Sequence, residues 1–301
     1  MTVAGSGEQF ARVGEIELAY ETFGAAGDPP VLMIMGVGSQ MIHWPDGLCE
    51  AIAARGYRVI RYDNRDAGHS TKLDSLGPPR LGELIDGESV GSPYSLADMA
   101  ADGVALLGEL GIGRAHVVGA SMGGMIAQRL VIDHPDRVFS LASIMSTTGD
   151  RTVGGPTEAA TEVLMSRPAT ERHAYIDGAV SGRKVLGSVD GLRDDDLVRE
   201  IAAQAFDRGI HPPGTARQLA AIIASPDRTP ELRRIQAPTV VIHGAIDPLI
   251  DLSGGEATAA AIPGAQLVVI DGMGHDLPPG SWDQIVDALV ANFARAAQPV
   301  V

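Results

Sequence analysis

The chain has one cysteine, Cys49, so no disulfide can form within it. No group of cysteines and histidines has metal-ligand spacing, so neither a metal nor another cofactor is expected. No apolar run approaches the ~20 residues that cross a bilayer, which argues against membrane insertion. Met1 to Gln9 is small and polar and lacks a secretory apolar core, so the expected location is the cytoplasm. Positive charge is also scarce: 23 Lys and Arg stand against 38 Asp and Glu, a net charge of −15. Nucleic acid and anionic membranes would repel such a chain. Short basic spots such as Arg233-Arg234 read as solvated surface. Internal repeats and low-complexity tracts are lacking too.

What is present is a globular composition, 45% hydrophobic and 20% charged, over 301 residues. That length can bury one large core, or a core plus a lid. Arg12–Phe23 alternates around Gly14 and reads as an edge hairpin. Apolar strands follow at Val31–Met35, Tyr57–Tyr62, 116–120 and Val138–Met145, with helices at Leu48–Arg55, Ser95–Leu110 and after Ser121. Strands resume at Pro238–His243 and Ala265–Ile270, and a helix spans Trp282–Phe293. Strands alternating with helices predict a mostly parallel sheet covered on both faces. Between about Thr147 and Pro230 the alternation stops, and four amphipathic segments appear: Thr157–Met165, Thr170–Val180, Asp194–Phe206 and Thr215–Ile223. Residues 1–147 and 229–301 are therefore expected to form the core. Residues 148–228 are expected to form a helical cap inserted after the sixth strand, at a carboxyl end where open α/β sheets bind ligands.

The chemistry centres on Val117-Val118-Gly119-Ala120-Ser121-Met122-Gly123-Gly124-Met125. An apolar strand ends in Gly-x-Ser-x-Gly and runs straight into a helix. Such a turn lifts a serine hydroxyl above the sheet edge, and its glycines let strand and helix pass closely. The new helix aims free N–H groups at charge forming beside the serine.

A serine needs a base, and the base an orienting carboxylate. His275 lies in Asp271-Gly272-Met273-Gly274-His275-Asp276, a flexible loop directly after a strand. Of the other histidines, His243 reads as packed in a strand, His116 sits at a strand's amino end and His134 caps a helix. His43 and His69 read as lining at most. Asp247 follows the preceding strand and is the favoured acid; Asp150, Asp271 and Asp276 are rivals. The oxyanion donors should be the N–H groups of Met122 and of Val37, the latter in Met35-Gly36-Val37-Gly38. Gly36-Val37-Gly38 is no dinucleotide fingerprint, because Met41 stands where its third glycine would be. Gly36, Met41, Trp44, Met145 and Leu164 are candidates for the substrate pocket.

The order Ser121, Asp247, His275 resembles the α/β-hydrolase fold superfamily of serine hydrolases over roughly residues 10–147 and 230–295. Tyr62-Asp63-Asn64-Arg65-Asp66-Ala67-Gly68-His69-Ser70 is similar to that family's turn after its fourth strand. The family's usual His-Gly before the oxyanion loop is Met35-Gly36 here. That departure, with Gly-Met-Gly-His-Asp-Leu-Pro, most resembles the aclacinomycin methylesterase branch and related actinobacterial esterases. The resemblance implies carboxylic-ester hydrolysis through an acyl-enzyme, on a small-molecule ester. The same triad also serves thioesterases, carbon–carbon bond hydrolases, acyltransferases and perhydrolases, and the fold also carries non-catalytic ligand-binding receptors. The oligomeric state, monomer or homodimer, is open from the sequence.

Overall fold

The computed structural model describes residues 5–86, 88 and 91–296. Its centre is one twisted sheet. β1 (Gln9–Val13) and β2 (Ile16–Phe23) form the antiparallel edge hairpin, and β2 pairs antiparallel with β4 (Arg58–Tyr62). The remaining pairings are parallel. They join β3 (Pro30–Ile34), β5 (Ala115–Ala120), β6 (Val138–Ile144), β7 (Thr239–Gly244) and β8 (Gln266–Ile270) in the spatial order β1-β2-β4-β3-β5-β6-β7-β8. The α/β-hydrolase fold expected from the sequence is the fold observed.

The helices are α1 (Asp46–Ala53), α2 (Leu81–Ile85), α3 (Leu96–Glu109) and α4 (Met122–Asp133) before β6. Between β6 and β7 come α5 (Glu158–Met165), α6 (Arg172–Leu186), α7 (Asp195–Asp207), α8 (Pro212–Ala224) and the single turn α9 (Thr229–Leu232). α10 (Leu252–Ala261) joins β7 to β8, and α11 (Trp282–Ala296) follows β8. α3 begins with a reciprocal cap: the Asp98 N–H donates to Ser95 Oγ, and the Ser95 N–H to Asp98 Oδ2.

Successive strand residues point to opposite faces, so a strand covered on both sides reads as an unbroken apolar run. Leu32 and Ile34 of β3 join Val117, Met99, Leu106, Ile126 and Leu130 in the core under α3 and α4. Val31 and Met33 join Val118, Ile144, Ile242, Leu48, Ile285 and Phe293 in the core under α1 and α11. The structure departs from expectation at several helices. α2, α9 and α10 were not foreseen, and α6 runs on past Val180 to Leu186.

Candidate active site

Ser121 sits between β5 and α4 with φ 57° and ψ −122°. Holding a non-glycine residue in so sparsely populated a conformation costs on the order of 1–3 kcal/mol. Surrounding backbone enforces it: the Ser121 N–H donates to Ile144 O at 2.9 Å, and its carbonyl accepts from Ser146 Oγ at 2.8 Å. The flanking glycines are required. A Cβ on Gly119 would lie 2.1 Å from Gly123 O, and one on Gly123 would lie 1.9 Å from Ile34 O.

His275 and Asp247 come to this turn from beyond β8 and β7. His275 Nε2 lies 3.0 Å from Ser121 Oγ, and His275 Nδ1 lies 2.7 Å from Asp247 Oδ2. The other Asp247 oxygen accepts the N–H groups of Leu249 and Ile250, each at 2.9 Å. One carboxylate oxygen is thus fixed by its own loop while the other faces the imidazole. His243 stiffens that loop from beneath, with Nε2 2.8 Å from Ile250 O. Burial lowers its proton affinity, as expected of a packed strand histidine.

The rival acids are elsewhere. Asp150 bonds its own turn at Thr152, Asp271 is exposed, and the Asp276 carboxylate accepts from the Ser188 N–H and hydroxyl. His116 Nδ1 is bonded to Ser140 Oγ inside the core, and His69 is paired with Glu8.

The Val37 loop crosses directly above the serine: a Cβ on Gly36 would lie 3.1 Å from Ser121 Cβ. Asn64 Nδ2 donates to Met35 O at 2.9 Å, and the Gly38 N–H donates to Gln218 Oε1 at 2.8 Å. The N–H groups of Val37 and Met122 make no hydrogen bond among the described residues.

A cavity of about 340 Å³ opens over Ser121 and His275. Its floor includes Gly36, Val37 and Met145, and its roof includes Leu164 of α5, Tyr175 of α6 and Leu197 of α7. Met145 has a φ of 41°, the turn by which the chain leaves β6 towards the roof. His43 also lines the cavity; burial, aided by the charge of Arg183, pushes its pKa down to about 4. Two expected lining residues are absent from the wall. Trp44 is fully buried in the core with Leu48 and Ile285, and Met41 packs with Ile42 and Ala205 beneath α7. Both are apolar enough for a pocket, but the chain turns their side chains into core layers instead.

Ser188 and Gln218 were missed as site residues, and Asp276 was weighed only as a rival acid. They touch the site's supports across 86 to 180 residues of chain, and no local pattern marks such contacts. Among the described residues, no group of three His, Cys, Asp or Glu is placed to hold a metal, and no helix is long and apolar enough to cross a membrane.

Residues 29–279 match the family model of the alpha/beta hydrolase fold. The chain belongs to the alpha/beta hydrolase fold family. Within it, the chain is 29% identical to a rhodomycin D methylesterase of Streptomyces sp. (strain C5), over 94% of this chain and 96% of that one. This bears out the resemblance to methylesterases. Among solved structures, a hydrolase from Pseudomonas aeruginosa PA01 matches with a TM-score of 0.70 and 26% identity, covering 96% of this chain and 98% of that one. The enol-lactonase from Burkholderia xenovorans LB400 matches with a TM-score of 0.69 and 25% identity, covering 96% and 99%. A methylesterase and a lactonase are both ester-cleaving hydrolases, the enzyme type expected from the sequence.

Proposed function

We propose that this alpha/beta hydrolase is a serine carboxylesterase acting on small-molecule esters. The observation that carries the reading is the continuous chain Ser121 Oγ, His275 Nε2, His275 Nδ1, Asp247 Oδ2, with links of 3.0 and 2.7 Å, on the floor of an apolar cavity. His275 takes the proton from Ser121 as the hydroxyl attacks the ester carbonyl. The oxygen that gains charge meets the unspent N–H groups of Val37 and Met122, the second at the positive end of α4. His275 then protonates the departing alcohol, and water enters to hydrolyse the acyl-Ser121 ester by the same route in reverse roles. Asp247 holds the imidazole in the tautomer that presents a bare Nε2 to the serine. The helices of residues 148–228 act as a cap that excludes water and shapes the acyl pocket.

Methylesterase and lactonase relatives support ester over thioester substrates. A panel of p-nitrophenyl esters, methyl esters, lactones and thioesters tests the assignment. A burst of p-nitrophenol followed by steady turnover is expected. Binding of every ester without turnover would leave a ligand-binding receptor instead.

A further inference from the structure

The last turn of α6 and the residues after it do more than roof the cavity. Leu186 O, a carbonyl left unpaired by the end of its helix, accepts the His275 N–H at 2.7 Å. Arg183 Nη1 donates to His275 O at 2.9 Å. Ser188 Oγ accepts the Gly274 N–H at 3.0 Å and donates to Asp276 Oδ1, while the Ser188 N–H also points at that carboxylate. The Val189 N–H donates to Gly272 O at 2.9 Å. Every residue from Gly272 to Asp276 except Met273 is thus bonded to the stretch from Arg183 to Val189. The two backbones touch at Gly274, where a Cβ would lie 2.5 Å from Gly187 C, and a Cβ on Gly187 would lie 2.7 Å from the Asp276 side chain at Oδ2. Ser188 is 2% exposed and Asp276 is 8% exposed.

The loop around His275 has two glycines, one of them, Gly272, at a φ of 72°. Such a loop does not set its own shape. Its hydrogen bonds are what define where the imidazole stands, and on this side they come from the inserted helices. We propose that Leu186–Val189 is the mount of His275, with Ser188 and Asp276 as positioning residues that keep its imidazole between Ser121 and Asp247. This rests on His275 being the base of the proposed esterase. It also changes what the insertion is: a part of the base's support as well as a selector of substrate. Cap movement that exposes the cavity must then pivot elsewhere, on α5 or the far ends of α6 and α7.

The test compares Ser188→Ala, Gly187→Ala, Asp276→Ala and Asp276→Asn in the full chain. Ser188→Ala leaves the Gly274 N–H and the Asp276 carboxylate short of a partner. Gly187→Ala presses a methyl group onto the Asp276 carboxylate and Arg183 O without removing any polar group. Asp276→Asn keeps an oxygen for Ser188. Steady-state kinetics on a p-nitrophenyl ester, the rate of Ser121 labelling by a small fluorophosphonate, and the far-downfield proton resonance of His275 Nδ1–H are measured together. A misplaced base by about 1 Å costs up to ~100-fold in rate. The first three variants should lose ~10- to 100-fold in kcat with KM held within about two-fold, slow labelling in parallel and lose the resonance. Asp276→Asn should keep most of all three. Wild-type kcat in Ser188→Ala and Gly187→Ala would overturn the proposal. So would a fall in kcat with the resonance intact, or an Asp276→Asn as impaired as Asp276→Ala. The resonance and labelling need no ester turnover, so a wild type that labels at Ser121 but hydrolyses no ester defeats the esterase reading alone.

Discussion

Gln218 on α8 accepts the N–H of Gly38 at 2.8 Å, across 180 residues of chain. Its Nε2 donates to Arg65 O at 2.8 Å, and the side chain is fully buried. The loop that carries Val37 is therefore hung from α8, one of the helices inserted between β6 and β7. Gln218→Leu fits the space but takes the partner from the part-buried Gly38 N–H and Arg65 carbonyl, at about 0.5–1.5 kcal/mol each. The variant should unfold at lower urea and lose ~10-fold or more in kcat, because a displaced Val37 N–H no longer meets the oxyanion. Gln218→Glu keeps the acceptor for Gly38 and should lose less. Equal kcat in all three proteins would mean that the loop holds its own shape.

Ser121→Ala should abolish ester turnover and leave the urea midpoint close to that of the wild type. The hydroxyl's bond to His275 is the interaction lost, while Ser121's backbone bonds to Ile144 and Ser146 remain. A fluorophosphonate probe should label the wild type at one peptide, that of Ser121, and leave the variant blank. Labelling at another serine would overturn the assignment of the nucleophile.

Asp247→Asn separates the two jobs of that carboxylate. An amide oxygen can still accept the Leu249 and Ile250 N–H groups, so the loop keeps its bonds. The amide nitrogen then faces His275 and cannot accept its Nδ1–H. By analogy with other triads kcat should fall about 10⁴-fold. Asp150→Asn and Asp271→Asn should stay within about two-fold of the wild type, since neither side chain contacts His275. Greater damage at Asp150 would move the acid there.

The parts of this site that were readable from the sequence are those whose physics is local. The Gly119 contact with Gly123 O lies within one strand-turn-helix, so the pentapeptide announces it, while Gly123 meets Ile34 O of the neighbouring strand β3. Asp247 and His275 each stand just past an apolar strand, and strand ends share one edge of a parallel sheet. The missed elements have no local signal. α10 is built largely of alanine and glycine and shows no apolar stripe to count. The last turns of α6 follow Gly178 and Gly182, which break its stripe, and there the chain finds Arg183, Leu186 and Ser188 to hold the His275 loop. Trp44 and Met41 were misplaced for a different reason: residue type tells apolar from polar, not core from cavity wall.

The buried histidines predict how stability responds to acid. His116 lies among the rings of Tyr57, Phe139 and Phe293, the last with its centroid 4.3 Å away, and Ser140 Oγ is its polar neighbour at 2.8 Å. Burial pushes its pKa from 6.5 down to about 4. His43 is pushed down to about 4 as well, by burial and by the charges of Arg183 and Arg208, with Asp63 opposing. A histidine depressed on folding binds protons in the unfolded chain first. Its contribution is therefore full above pH 6.5 and is lost as pH falls towards 4. Between pH 7 and 4.5 the loss from His116 alone is about 2–3 kcal/mol. Asp66 and Asp98, whose pKa values folding lowers, lose their contribution only below their ordinary carboxylate range, at more acid pH. The two sources thus fall in separate windows. Urea unfolding at pH 7 and 4.5 should show the wild type losing more stability than a His116→Phe, Ser140→Ala double variant, which fills the ring site and leaves no hydroxyl unpaired. Identical losses in the two proteins would mean that His116 is protonated as readily in the fold as in the unfolded chain.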